Sequence, residues 1–113
     1  PKQEEVTEEI FVVVEEQPEY PGGNAAMMQF LSDNIRYPVI AQENGIQGRV
    51  ICNFVVERDG SITDVQVVRG VDPSLDREAV RVIQQMPRWK PGKQRGQPVR
   101  VRFTLPVVFR LQN

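Results

Sequence analysis

Between residues 99 and 111 apolar side chains fall on every second position: Val99, Val101, Phe103, Leu105, Val107, Phe109 and Leu111. Arg100, Arg102, Thr104 and Arg110 take the opposite side, so the period of two predicts a long half-buried strand. Pro106 sits inside it. A proline cannot donate a ladder bond, which confines it to a sheet edge or a bulge. Two meanings stay open here: an edge available to a partner chain, or an edge that proline and like charges protect from aggregation.

Two shorter runs, 49–57 and 62–69, flank Arg58-Asp59-Gly60-Ser61. Asp-Gly between alternating runs predicts a hairpin with a two-residue turn. With Arg58 facing Ser61, Phe54 faces Val65, Cys52 faces Val67 and Asn53 faces Gln66. The first of these strands is apolar on both faces, which predicts a central strand.

Helical spacing appears twice. Asn24 is a candidate N-cap for a stripe of Met27, Met28, Phe30, Leu31 and Ile35, ending at Tyr37 because Pro38 disfavours helix before it. Asp72 and Pro73 open a second helix with a stripe of Leu75, Ala79, Val82, Ile83 and Met86, stopped by Pro87. The fold class predicted is α+β: a three-stranded antiparallel sheet with two helices on one face, the last strand reached by a crossover through the second helix. Residues 19–113 form the domain. Residues 1–18 form an acidic linker and extended arm, in which the β-branched run 10–14 is punctuated by Pro18, Pro21 and Gly22-Gly23.

Charge adds an asymmetry that the net value of −1 conceals. Glu4, Glu5, Glu8, Glu9, Glu15, Glu16 and Glu19 crowd the start, whereas no acid follows Arg88, so the two ends should attract if they meet. Cys52 alone allows no intrachain disulfide and reads as a small buried hydrophobe. The chain has no histidine, no set of ligands at metal spacing and no phosphate-cradling loop, so neither an enzyme nor a cofactor or metal is expected. Asp59, Asp64, Asp76 and Glu78 read as turn formers and solvated helix face. Nucleic-acid binding has little support, because Phe54, Phe103 and Phe109 lie on the faces expected under the helices. No run is long enough to span a bilayer, so any anchor is expected upstream of Pro1.

The segments "NIRYP", "ENGIQGRVICNFVVERDGSITDVQVVRG", "LDREAVRVIQQMPRWKPG" and "VRVRFTLPVVF" resemble, in this order, the TonB C-terminal domain family. The arm and "RFTLPVVF" look most like versions from Bacteroidetes-type Gram-negative bacteria. The resemblance implies a periplasmic domain, carried by an inner-membrane helix absent from this chain and coupled through it to an ExbB–ExbD motor. It implies binding of a TonB-box peptide of outer-membrane transporters by strand addition beside Val99, Arg100, Val101, Arg102, Phe103, Thr104, Leu105, Pro106 and Val107. Asn34, Arg36, Tyr37 and Pro38 are implied to lie near that partner, although Asn34 stands where the family often has glutamine. The basic side of Arg100, Arg102 and Arg110 is expected to attract acids beside the peptide. Tyr37 and Trp89 also have a plainer reading, as rings capping the core. The arm segment "EEIFVVVEE" is itself box-like, a candidate occupant of the edge, and pairing of edge strands in a homodimer is the other arrangement. Similar domains are appended to sensor metallopeptidases, the alternative within the resemblance.

Overall fold

The computed structural model describes residues 9–111. In chain order the elements are β1 (Ile10–Phe11), α1 (Gly23–Asn34), α2 (Val39–Glu43), β2 (Gly48–Val56), β3 (Ile62–Arg69), α3 (Pro73–Gln84), β4 (Gly92–Gln94) and β5 (Gln97–Phe109). The architecture is mixed α+β, with a correction to the three-stranded, two-helix expectation. The sheet has five strands in the order β1-β5-β2-β3, with β4 hydrogen-bonded to β5, and there are three helices. β2 is central, antiparallel to β3 on one side and to β5 on the other.

The β2–β3 hairpin departs from the expected turn and then recovers its register. Glu57 N–H donates to Ser61 and Gly60 N–H to Glu57 O, so three residues, Arg58 to Gly60, make the loop. Gly60 supplies a left-handed φ of 87° against the Trp89 backbone, where a Cβ would lie 2.0 Å from Trp89 O. The extra residue shifts the pairing to Val55↔Thr63. A bulge follows beside Asp64, at φ 51°, and restores Asn53↔Gln66 and Cys52↔Val67.

α3 forms as its pattern predicts. Asp72 accepts from Ser74 N–H as N-cap, Pro73 opens the helix, and Leu75, Ala79, Val82, Ile83 and Met86 are buried. α1 differs from expectation at both ends. Gly22, at φ 88°, holds the N-cap position in place of Asn24, and the helix stops at Asn34, three residues before Tyr37. There the Asn34 side chain donates to Phe30 O, and Arg81 of α3 donates to Asn34 O. The bond from Arg81 satisfies a last-turn carbonyl that the ended helix leaves without an intrahelical partner.

Side chains from α1, α3, β2 and β5 meet in one core. Phe54, Cys52, Val50 and Val56 of β2 and Val107 and Phe109 of β5 are almost wholly buried in it. Burial pushes the Cys52 thiol up to about 11, with the Asp76 charge adding to the effect, so it behaves as packing. Trp89 stacks edge-on against Phe54 and Phe103 at 5.5 and 5.1 Å and is 4% exposed. It caps the core.

Candidate functional site

β5 is the longest strand among the described residues, and its two lengthwise sides differ. In an antiparallel ladder the N–H and C=O of one residue point to the same side, and the side alternates along the strand. β5 keeps continuous register with β2 through Val50↔Val107, Ile51↔Pro106 and Cys52↔Leu105. A proline aimed at β2 would break those pairs, so Pro106 points outward. With it go the other even positions: Pro98, Arg100, Arg102, Thr104 and Val108. The β4–β5 hairpin agrees, because Arg95 (φ 54°) and Gly96 (φ 75°) form a two-residue turn that pairs Gln94 with Gln97 and commits the odd positions Gln97 and Val99 to β4. Both prolines therefore waste no ladder bond. They stand on an edge.

That edge has two halves. At its start β1 pairs in parallel with β5, Ile10↔Arg100 and Phe11↔Val101. Beyond Arg102, among the described residues, no strand covers the outward groups of Thr104, Pro106 and Val108. This half runs beside a groove of about 330 Å³. Met28, Leu31 and Ser32 of α1 and Ile35 just after it form one wall, Pro106, Val108, Phe109 and Arg110 the other, and Tyr37 lies between. A strand added here would thus place alternate side chains against α1.

Local geometry positions Tyr37. The residue before a proline is held extended, and Pro38 then opens α2. α2 ends in a Schellman turn: Gly45, at φ 66°, donates to Gln42 O and Ile46 N–H donates to Ala41 O. The turn presents Ile46 O to the Tyr37 hydroxyl, which donates to it. The ring stands edge-on to Phe109 at 5.7 Å. Half-burial raises the phenol pKa above its ordinary value, so the donor stays protonated.

The nominated site residues do not all gather at the edge. Val99, Val101, Leu105 and Val107 have buried side chains, Phe103 is half-buried in the core, and the main chains of these odd positions are committed inward. Arg100 and Arg102 offer main chain to the edge, but their side chains lie across the sheet. Arg100 Nε donates to Glu57 Oε1 at 2.8 Å, while Arg102 reaches Asn53 Oδ1 at 2.9 Å and Asp64 Oδ2 at 2.8 Å. Val55, wholly buried, lies paired with Arg102 in that part of the sheet. The expected basic face is thus largely spent on clamps within the sheet, and Arg110 is the exposed arginine at the groove. The hydrogen bond from Arg100 holds Glu57 below the usual carboxylate range, with burial opposing it.

Of Asn34, Arg36, Tyr37 and Pro38, only Tyr37 lines the edge groove. Arg36 and Pro38 line a separate groove with Val39, Ile40 and Arg77, between α2 and α3. Glu78 corrects the solvated-face reading: it is 8% exposed, takes two bonds from Arg81, and accepts from Arg36 N–H at 2.6 Å. Burial pulls its pKa up, but those bonds outweigh it and leave it lowered.

Met28, Leu31, Ser32, Ile35, Val108 and Phe109 are the groove residues that sequence pattern did not nominate for the site. Met28, expected in the core stripe, is 55% exposed. The available signal was crowding, since Met27, Met28, Phe30 and Leu31 span too wide an arc for one buried face.

Comparison with known proteins bears on what such an edge is for. Residues 33–111 match the family model described as Gram-negative bacterial TonB protein C-terminal. Protein TonB of Helicobacter pylori (strain J99) is 46% identical over 39 residues, 34% of this chain and 14% of that protein. Protein TonB of Pseudomonas aeruginosa is 44% identical over 55 residues, 48% of this chain and 15% of that protein. The matched part is thus a small fraction of these relatives' length. Two solution structures of the Helicobacter pylori TonB C-terminal domain are similar in fold. One superposes at a TM-score of 0.60 with 27% identity, covering 77% of this chain and 78% of that one. The other gives 0.59 and 26%, covering 79% and 94%.

Proposed function

The chain belongs to the family of Gram-negative bacterial TonB protein C-terminal domains, and on that premise we propose that it is the periplasmic receptor module of an energy transducer. Its partner is the TonB-box peptide of an outer-membrane transporter, added as a strand along the open half of β5. Force arrives from a proton-driven ExbB–ExbD motor through an inner-membrane anchor upstream of Pro1. Residues 19–113 are the module and residues 1–18 its arm. The work asked of the chain is binding and traction, with no catalytic step.

The observation that carries this reading is the edge from Thr104 to Val108, which no strand covers among the described residues, beside an apolar groove. Thr104 and Val108 each offer an N–H and a C=O, and Pro106 a C=O. Five ladder bonds at a net ~0.5–1.5 kcal/mol, with one or two side chains seated against Met28 and Ile35, favour binding. Ordering the peptide and losing its translational freedom cancel much of that gain. The result is an affinity of roughly micromolar or weaker, which suits a coupler that must let go after each pull.

Titration of a transporter box peptide into the isotope-labelled chain tests the proposal. Amide shifts should concentrate on Arg102 to Val108 and on the groove wall at Met28 and Ile35. Shifts confined to the opposite edge, β3, would refute it.

A further inference from the structure

The arm is held in two very different ways. Downstream, Glu16 and Lys93 exchange backbone bonds of 3.1 and 2.9 Å, Glu19 and Lys90 exchange bonds of 2.9 and 2.8 Å, and Glu15 bonds to Gln94 and to Arg95 N–H. Pro18 and Tyr20 are buried behind these contacts. This is where the acidic start meets the basic end. Upstream, among the described residues, β1 pairs with the sheet at Ile10 and Phe11. Between the two holds, Val12 and Val13 leave the sheet and are 72% and 80% exposed, although the parallel register, if continued, would carry them to Arg102 and Phe103.

A strand-forming run, Ile10-Phe11-Val12-Val13-Val14, thus sits on the edge by its first two residues while an anchor keeps it close. We propose that β1 is a built-in placeholder for the incoming strand. It holds the Arg100 end of the edge until a partner takes it. This rests on reading the β5 edge as the receptor. A strand confined to Thr104–Val108 binds beside β1, whereas a strand that runs on to Arg100 must peel it away. Because the anchor at Glu15 to Glu19 persists, the displaced segment stays tethered at an effective concentration of about millimolar and returns when the partner leaves. The arm therefore sets how far along β5 a partner zips.

Two synthetic peptides copied from the arm serve as probes: EEIFVVVEE, long enough to cover Arg100 to Val108, and VVVEE, which is not. Each is titrated into the full chain and into its Phe11→Pro variant, in which one β1 donor is lost. The nine-residue peptide should bind the variant about twofold to twelvefold more tightly, the factor set by the one ladder bond lost. The five-residue peptide should bind both chains equally. Equal affinity of the longer peptide for both chains overturns the placeholder while leaving the receptor edge standing. If neither peptide shifts β5 amides in either chain, strand addition itself fails, and the placeholder with it. Hydrogen exchange on the unsubstituted chain gives an independent readout. The Arg100 amide should exchange more slowly than Thr104 but much faster than Leu105, and exchange of Arg100 as slow as Leu105 would make β1 a permanent strand.

Discussion

α1 and α3 are each twelve residues long, and both send side chains into the same core, yet they are built for different tasks. α3 has a side-chain cap at Asp72, an acid in its first turn, Arg81 in its last, and a continuous buried stripe. Its ends satisfy their own free groups and complement the helix dipole. α1 starts on a glycine with no side-chain cap, carries no charge of helpful sign at either end, and buries fully only Met27 and Leu31. Met28, more than half exposed, lines the groove beside β5 together with Leu31. One helix is spent on stability. The other gives up some stability to leave an apolar wall exposed, which is the arrangement a docking surface needs.

Substitutions can break this contrast, and the largest effect should come from α3. Leu75→Ala should lower unfolding free energy by about 2–5 kcal/mol in denaturant melts, since the site is wholly enclosed. Met28→Ala in α1 should stay within about 0.5 kcal/mol. A comparable loss at both positions would dissolve the distinction. Met28→Glu sharpens it from the other side: box-peptide affinity should fall about tenfold, ~1.4 kcal/mol, with the melting curve nearly unchanged. Helix starts come next. Gly22→Ala should cost about 1–2 kcal/mol, because φ is 88° and the new Cβ would lie 2.9 Å from Ala26 Cβ. Asp72→Ala should cost about 1 kcal/mol through loss of the cap.

The smallest expected effect is in pH. Glu57 and Glu78 both have lowered pKa values in the folded chain, through Arg100 for the first and through Arg81 and the Arg36 amide, against burial, for the second. A depressed folded pKa contributes stability that is present above the unfolded value, ordinarily 4.5, and is lost as pH falls through the folded one. Acid titration of the melting temperature should show this loss below about pH 4.5, and Glu78→Gln should shrink it. Because Glu78 and Arg81 tie α3 to the end of α1, the same variant should broaden the amide signals of Arg36 and Tyr37.

How much of this was legible in the sequence follows the same divide. α3 could be read because cap, proline and stripe are local and agree with one another. The long alternation of β5, the burial of its odd positions and the central place of β2 were likewise written in the pattern. The loop at Gly60 is not decided locally, since Asp-Gly serves two-residue and three-residue turns alike, and the contact that decides between them, with the Trp89 backbone, is 29 residues away in the chain. β1, β4 and α2 are too short to show a period. The groove was hidden for a further reason. Met28 looks the same whether it fills a core or a docking wall, and only the position of α1 over the end of β5 tells which.

Pro106 faces outward from β5, and that orientation supplies the most direct test of whether the β5 edge receives a partner strand. Thr104→Pro removes an outward donor without touching the inward ladder to β2, whereas Val107→Pro would break that ladder. Calorimetric titration of a box peptide into Thr104→Pro, with the melt as control, should show binding lost or weakened at least tenfold while the fold persists. Undiminished affinity in a folded Thr104→Pro chain would contradict strand addition at this edge.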